Sequence, residues 1–71
     1  MTRILKYNQK QLHWLKRGVD QGMDISQYSN PRYNENQMRE IYLAMKKGMD
    51  VKALMNPDIP WEIMRQMHGN G

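Results

Sequence analysis

Residues 7–32 read YNQKQLHWLKRGVDQGMDISQYSNPR and residues 33–58 read YNENQMREIYLAMKKGMDVKALMNPD. Laid over one another they share 8 of 26 positions: Tyr7-Asn8 with Tyr33-Asn34, Gln11 with Gln37, Gly22-Met23-Asp24 with Gly48-Met49-Asp50, and Asn30-Pro31 with Asn56-Pro57. Five further positions are apolar in both copies: Leu12/Met38, Leu15/Ile41, Val19/Met45, Ile25/Val51 and Tyr28/Leu54. Gly18/Ala44 keeps a small residue. The matches fall on caps, turns and one helical face, which marks a structural repeat. A truncated third copy begins at Ile59, aligns Met64-Arg65 with Met38-Arg39 and stops at Gly69.

Each copy reads from cap to turn. Asn8 and Asn34 are N-cap residues with Gln three places on, the spacing of a capping box. Tyr7 and Tyr33 precede the caps and are placed to pack on Leu12 and Met38 as a hydrophobic staple. Leu12, Leu15 and Val19, then Met38, Ile41 and Met45, recur at the three-and-four spacing of one apolar stripe. Gly22 and Gly48 end these helices, because glycine enters the left-handed conformation without strain. Asp24 and Asp50 then cap a second, short helix, and Asn-Pro stops it because proline disfavours helical geometry in the preceding residue. In the third copy Pro60 suits the first helical position, and residues 61–68 form a short closing helix.

The two long helices differ. Opposite its apolar stripe the first shows Lys10, His13, Trp14 and Arg17; on the second, Leu43 replaces Arg17 and Tyr42 widens the stripe. A helix apolar on more than one side is enclosed, so the second belongs in the middle. The expected fold is all-α: a small helical-repeat array of three main helices with two short one-turn helices between them. It forms a single domain over residues 1–71, with a lead segment 1–6, units 7–32 and 33–58, and a truncated unit 59–69.

The 71 residues carry 11 Lys+Arg against 7 Asp+Glu, a formal net charge of +4, and no cysteine. A chain this short has a thin core and here no disulfide or cysteine-based zinc site to staple it. No stretch reaches the roughly 20 apolar residues of a membrane span, and the basic start has no apolar h-region behind it. These features lead us to expect a cytoplasmic protein without a membrane partner. Arg3, Lys6, Lys10, Lys16 and Arg17 lie within residues 1–19, which hold no acid, so the positive charge is concentrated at one end. Such an end draws either nucleic acid or an acidic protein surface, and also serves solubility.

Catalysis finds little support in the motifs. His13 and His68 stand in different repeats without metal-ligand spacing, and there is no thiol, phosphate-binding glycine loop or nucleophile elbow. We therefore expect no enzyme activity, no catalytic or metal site and no cofactor. Of the 8 methionines, Met23, Met38, Met45, Met49 and Met64 fall on the apolar register of the repeat, while Met55 and Met67 flank the last helix. Trp14 stands out because its counterpart is Glu40 and its helical neighbours are Lys10, Arg17 and Gln21. A tryptophan among bases is a hot spot for a protein or for stacked nucleobases, or else it packs on Ile4 and Leu5. The candidate partner-binding residues are Lys6, Lys10, His13, Trp14 and Arg17.

Residues 44–54 have the small-residue, glycine and apolar spacing of a helix-turn-helix, but Pro57 and Pro31 cut both candidate recognition helices short. The repeat resembles instead a tandem motif of proteins from phages and mobile elements of Firmicutes, of the form Gln-Met-x-x-Ile-x-x-Gly-Leu-x-x-Gly-Leu-Asp-Val, then Tyr or another apolar residue and a proline. Gln37-Met38, Ile41, Ala44-Met45, Gly48-Met49-Asp50-Val51, Leu54 and Pro57 carry the pattern. Gln11-Leu12, Leu15, Gly18-Val19, Gly22-Met23-Asp24-Ile25, Tyr28 and Pro31 carry it again. The resemblance implies an origin and brings no defined activity. The first reading is a non-enzymatic binder of a macromolecular partner, a host protein, acting as an inhibitor of a host nucleic-acid enzyme or defence system, such as an anti-CRISPR. The alternatives are a small nucleic-acid-binding or regulatory protein and a self-associating structural module, so both monomer and homodimer stay open.

Overall fold

A computed structural model describes residues 7–69. Helix α1 (Gln9–Asp20) is followed by a 3-10 turn (Ile25–Gln27), and α2 (Glu35–Lys46) by a second 3-10 turn (Lys52–Leu54); α3 (Trp61–Gly69) closes the array. The described residues contain no strand. The repeat is thus a structural unit of helix, glycine turn, single 3-10 turn and proline turn, used twice and begun a third time.

The caps form as the spacing predicts. Asn8 Oδ1 accepts from the Gln11 amide at 2.8 Å while Gln11 Oε1 accepts from the Asn8 amide at 2.8 Å, and Asn34 with Gln37 repeats the arrangement. At the other end Gly22 and Gly48 have φ of 74° and 81°. The Gly22 amide bonds to the Val19 carbonyl and the Met23 amide reaches back to Gly18; Gly48 and Met49 do the same with Met45 and Ala44. This pairing satisfies the last carbonyls and reverses the chain. Asp24 then caps the first 3-10 turn by accepting from the Ser26 amide. Asp50 accepts from the Lys52 amide but stands one residue before Val51, the N-cap of the second turn, which has no side-chain cap bond. Asn30 and Asn56 bond to the amides of Arg32 and Asp58 across each proline.

One function of the shared glutamine does not follow from its cap spacing. Gln11 Nε2 donates to the carbonyls of Pro31 at 3.2 Å and Tyr33 at 2.5 Å, and Gln37 Nε2 to those of Pro57 at 2.9 Å and Ile59 at 2.6 Å. The carbonyl of each side chain closes its own helix and the amide fastens the entry of the next unit. Both glutamines are buried, so these bonds are made out of water and leave no polar atom of the side chain orphaned.

Helix α2 lies in the middle, packed on one side by α1 and on the other by α3. The core contains Leu15, Tyr28, Tyr33, Met38, Ile41, Tyr42, Ala44, Val51, Leu54 and Met64. Tyr28 turns back from the first 3-10 turn to donate its hydroxyl to the Trp14 carbonyl at 2.6 Å, against Gly18. In the second unit this small–large pair is Ala44 with Leu54, a larger helix residue matched by a smaller partner, both buried.

Two readings of the apolar register need correction. Val19 is 58% exposed, because the returning segment of Met23, Ile25 and Tyr28 covers the Gly18 side and the next residue stands about 100° round the helix from it. Met49 is also exposed, whereas Met38 and Met64 are fully enclosed and Met23 and Met45 are half-buried.

Candidate functional site

Each junction between helices is centred on the same repeat positions. At the first junction Trp14 meets Tyr42, with ring centroids 5.4 Å apart and planes tilted by 52°. At the second, Glu40 Oε1 lies 2.7 Å from His68 Nε2. Glu40 is the repeat counterpart of Trp14 and His68 that of Tyr42, so one slot is filled by an aromatic pair in one place and by a carboxylate and an imidazole in the other.

Trp14 is therefore half-buried against α2 and does not stand free on a polar face, as its position opposite the Leu12–Leu15 stripe leads one to expect. Its packing partner is Tyr42. Residues Ile4 and Leu5, the other candidates, and Lys6 of the expected site lie outside the described residues. Lys10, His13 and Arg17 are exposed around this aromatic floor. His13 stands edge-on to Trp14 at 4.9 Å, and the Arg17 guanidinium lies over the Tyr42 ring at 5.7 Å, with the Lys46 ammonium at 6.0 Å from the same ring. Gln9, Lys10, His13, Trp14 and Glu35 line a shallow hollow of about 360 Å³. Four of the five expected residues, Lys10, His13, Trp14 and Arg17, thus share one surface on α1 that carries two cations and two aromatic rings.

The second junction holds a network that the sequence reading missed. Glu40 and His68 are 1% and 4% exposed. Arg39 donates from Nε and Nη2 to Glu40 Oε2 at 3.3 and 3.1 Å, and Lys47 Nζ reaches His68 Nδ1 and the His68 carbonyl, both at 3.1 Å. An ammonium only donates, so Nδ1 is the acceptor and Nε2 carries the ring proton toward Glu40. Inspecting the histidines for metal-ligand spacing could not find this pair. The signal lay in the repeat, because once Trp14 and Tyr42 are known to meet, their counterparts must meet too. A hollow of about 430 Å³ opens beside the pair, with Arg39, Lys47 and Arg65 on its walls.

The same symmetry aligns His13, Arg39 and Arg65, one per helix, at equivalent positions. A nitrogen-bearing side chain therefore recurs at this position on α1, α2 and α3. Burial also shapes the tyrosine hydroxyls. Desolvation, with a smaller contribution from neighbouring Tyr42, pushes the Tyr28 hydroxyl up to about 12, and burial raises Tyr33 as well. The Tyr42 hydroxyl is buried without a hydrogen-bond partner among the described residues, which costs about 1–3 kcal/mol. On the far side, hydrogen bonds from the Ser26 hydroxyl and amide lower the Asp24 carboxyl.

Among the described residues no group of three or more His, Cys, Asp or Glu side chains is placed to hold a metal ion, and no helix is long and apolar enough to cross a membrane. The two short elements are three residues each, too short to lie along a DNA groove as a recognition helix. In comparisons with known proteins, no family model, no curated protein and no solved structure matches the chain.

Proposed function

We propose that this chain is a non-enzymatic helical-repeat protein of the phage or mobile-element type that binds a host protein through the exposed face of α1. The observation that carries the reading is the exposed group of Lys10, His13 and Arg17 beside the packed Trp14–Tyr42 pair at the α1–α2 junction. Such a surface combines charge complementarity to an acidic patch with aromatic area whose ordering cost has already been met in the fold. The effect proposed is inhibition of a host nucleic-acid enzyme or defence system, of the anti-CRISPR kind, which needs a surface and no active site. A protein partner is favoured over nucleic acid because Trp14 is half-buried with Tyr42 and His13 against it, which leaves only part of its ring for contact and suits a side chain better than a full base stack.

The test uses Lys10→Glu with Arg17→Glu, both at exposed positions, and leaves Trp14 in place because it packs on α2. Affinity capture from a host lysate, with and without nuclease, is followed by mass spectrometry. The wild-type chain is expected to retain a protein after nuclease treatment, and the double variant, melting like the wild type, to lose it. Retention by the variant removes the α1 face from the reading. Recovery that disappears with nuclease, together with steep weakening in salt, replaces the host protein with nucleic acid.

A further inference from the structure

We propose that the hollow between α2 and α3 binds a phosphate group carried on a planar organic molecule, a nucleotide being its simplest form. Three cations, Arg39, Lys47 and Arg65, line it against one carboxylate, Glu40. Both oxygens of that carboxylate are already engaged, Oε1 by His68 and Oε2 by Arg39. The two acceptors of Lys47 are both on His68 and neither is a carboxylate, and Arg65 has no ion-pair partner among the described residues. The lining of this hollow therefore has an excess of positive charge, three cations against one engaged carboxylate, and Glu62 is in the adjoining hollow without an ion pair to Arg65 among the described residues.

The geometry selects the class of anion. A phosphate monoester carries about −1.5 to −2 charge at pH 7 and three strong acceptor oxygens, which suits the Arg65 guanidinium fork, unpaired among the described residues, with the remaining donors of Arg39 and Lys47. Glu40 and His68, both more than nine-tenths buried, tie Arg39 and Lys47 in place, so two of the three donors are held before any ligand arrives. At about 430 Å³ the hollow is larger than a bare phosphate needs. It adjoins a second hollow of about 370 Å³ that shares Arg65 and Gly69 and has the indole of Trp61 as a wall. Trp61 is half-buried and carries the Arg39 guanidinium over its ring at 5.5 Å. A cationic hollow joined at Arg65 to an aromatic one is the pairing that takes a phosphate at one end and a stacked ring at the other. This site lies at the junction away from α1 and does not depend on the host-protein reading.

Amide and indole NMR shifts of the whole chain are followed at constant ionic strength while inorganic phosphate, AMP or adenosine is added. Phosphate is expected to give saturable shifts at Arg65, His68 and Gly69, AMP to bind more tightly and extend them to the Trp61 indole, and adenosine to give none. Arg65→Gln, at an exposed position, is expected to melt like the wild type and to weaken both phosphate and AMP about tenfold or more. Lys16→Gln, at an exposed position of α1, leaves both unchanged. The proposal is overturned if phosphate produces no saturation, if shifts spread equally over Lys10 and Lys16 as from a general ion atmosphere, if Arg65→Gln binds unchanged, or if adenosine binds as AMP does. AMP binding no tighter than phosphate removes the role given to Trp61.

Discussion

Replacing Gly18 with alanine distinguishes the local sequence from the fold. Alanine is the better helix former by up to about 1 kcal/mol, and it is the residue that the second unit has at this position, so the helix alone predicts stabilisation. The packing predicts the reverse. A Cβ at Gly18 would overlap the Tyr28 hydroxyl and sit 2.6 Å from Ile25 Cγ2. The hydroxyl is the far end of a side chain, but Tyr28 is fully enclosed and bonded to the Trp14 carbonyl at 2.6 Å, so the ring has nowhere to swing. Overpacking costs about 1–3 kcal/mol and losing a buried hydroxyl bond about 1–3 kcal/mol. Set against a helical gain of about 1 kcal/mol, the net is a loss of about 1–5 kcal/mol. At about 4–8 °C per kcal/mol for a domain of this size, the midpoint of thermal unfolding by circular dichroism should fall by at least about 4 °C. Combining Gly18→Ala with Tyr28→Leu reproduces the Ala44/Leu54 pair, and the double variant should be more stable than the sum of the single effects by about 1 kcal/mol or more. A Gly18→Ala protein that melts at or above the wild type, or a double variant that is merely additive, refutes the steric account.

Two further outcomes follow from the junctions and the core. Gln37→Ala removes a capping-box partner and both bonds to the Pro57 and Ile59 carbonyls, and should lower unfolding free energy by about 2–3 kcal/mol in urea denaturation, with the slope unchanged. Tyr28 has its hydroxyl pushed up to about 12 by burial, against about 10 in an unfolded chain. The folded state favours the neutral form, so this contribution is fully present below about pH 10 and is lost as pH rises toward about 12. Melting temperatures recorded between about pH 9 and 12 should fall more steeply for the wild type than for Tyr28→Phe, and parallel curves would count against the buried hydroxyl as the cause.

Local signals were the easiest to read in this chain. The caps at Asn8 and Asn34, the stops at Gly22 and Gly48 and the central place of α2 follow from side-chain chemistry acting over a few residues. What escaped the reading acts at longer range. Val19 fits the apolar period, and its exposure depends on which way the chain returns after Gly22. Trp14 has bases for neighbours on its own helix, but its burial is decided by Tyr42 on another. Of the candidate site, Lys10, His13 and Arg17 were legible as an exposed cationic group. Glu40 and His68 were not, because a charged residue in a helix reads as solvated until its partner 28 positions away is known.

That shared slot has a consequence for how nearly identical units find their proper neighbours. Repeats stack through similar faces, so a folding chain risks seating the wrong helices together. If α3 docked on α1 in place of α2, His68 would face the indole of Trp14, and Glu40 would lose the imidazole that bonds to it in the native stack. Oε1 of Glu40 would then lose its bond and the carboxylate would keep only Arg39 on Oε2, whereas either native junction is internally matched. The difference between an aromatic pair and a carboxylate–imidazole pair thus acts as an address, favouring α1 and α3 on their own sides of α2 over the exchanged order.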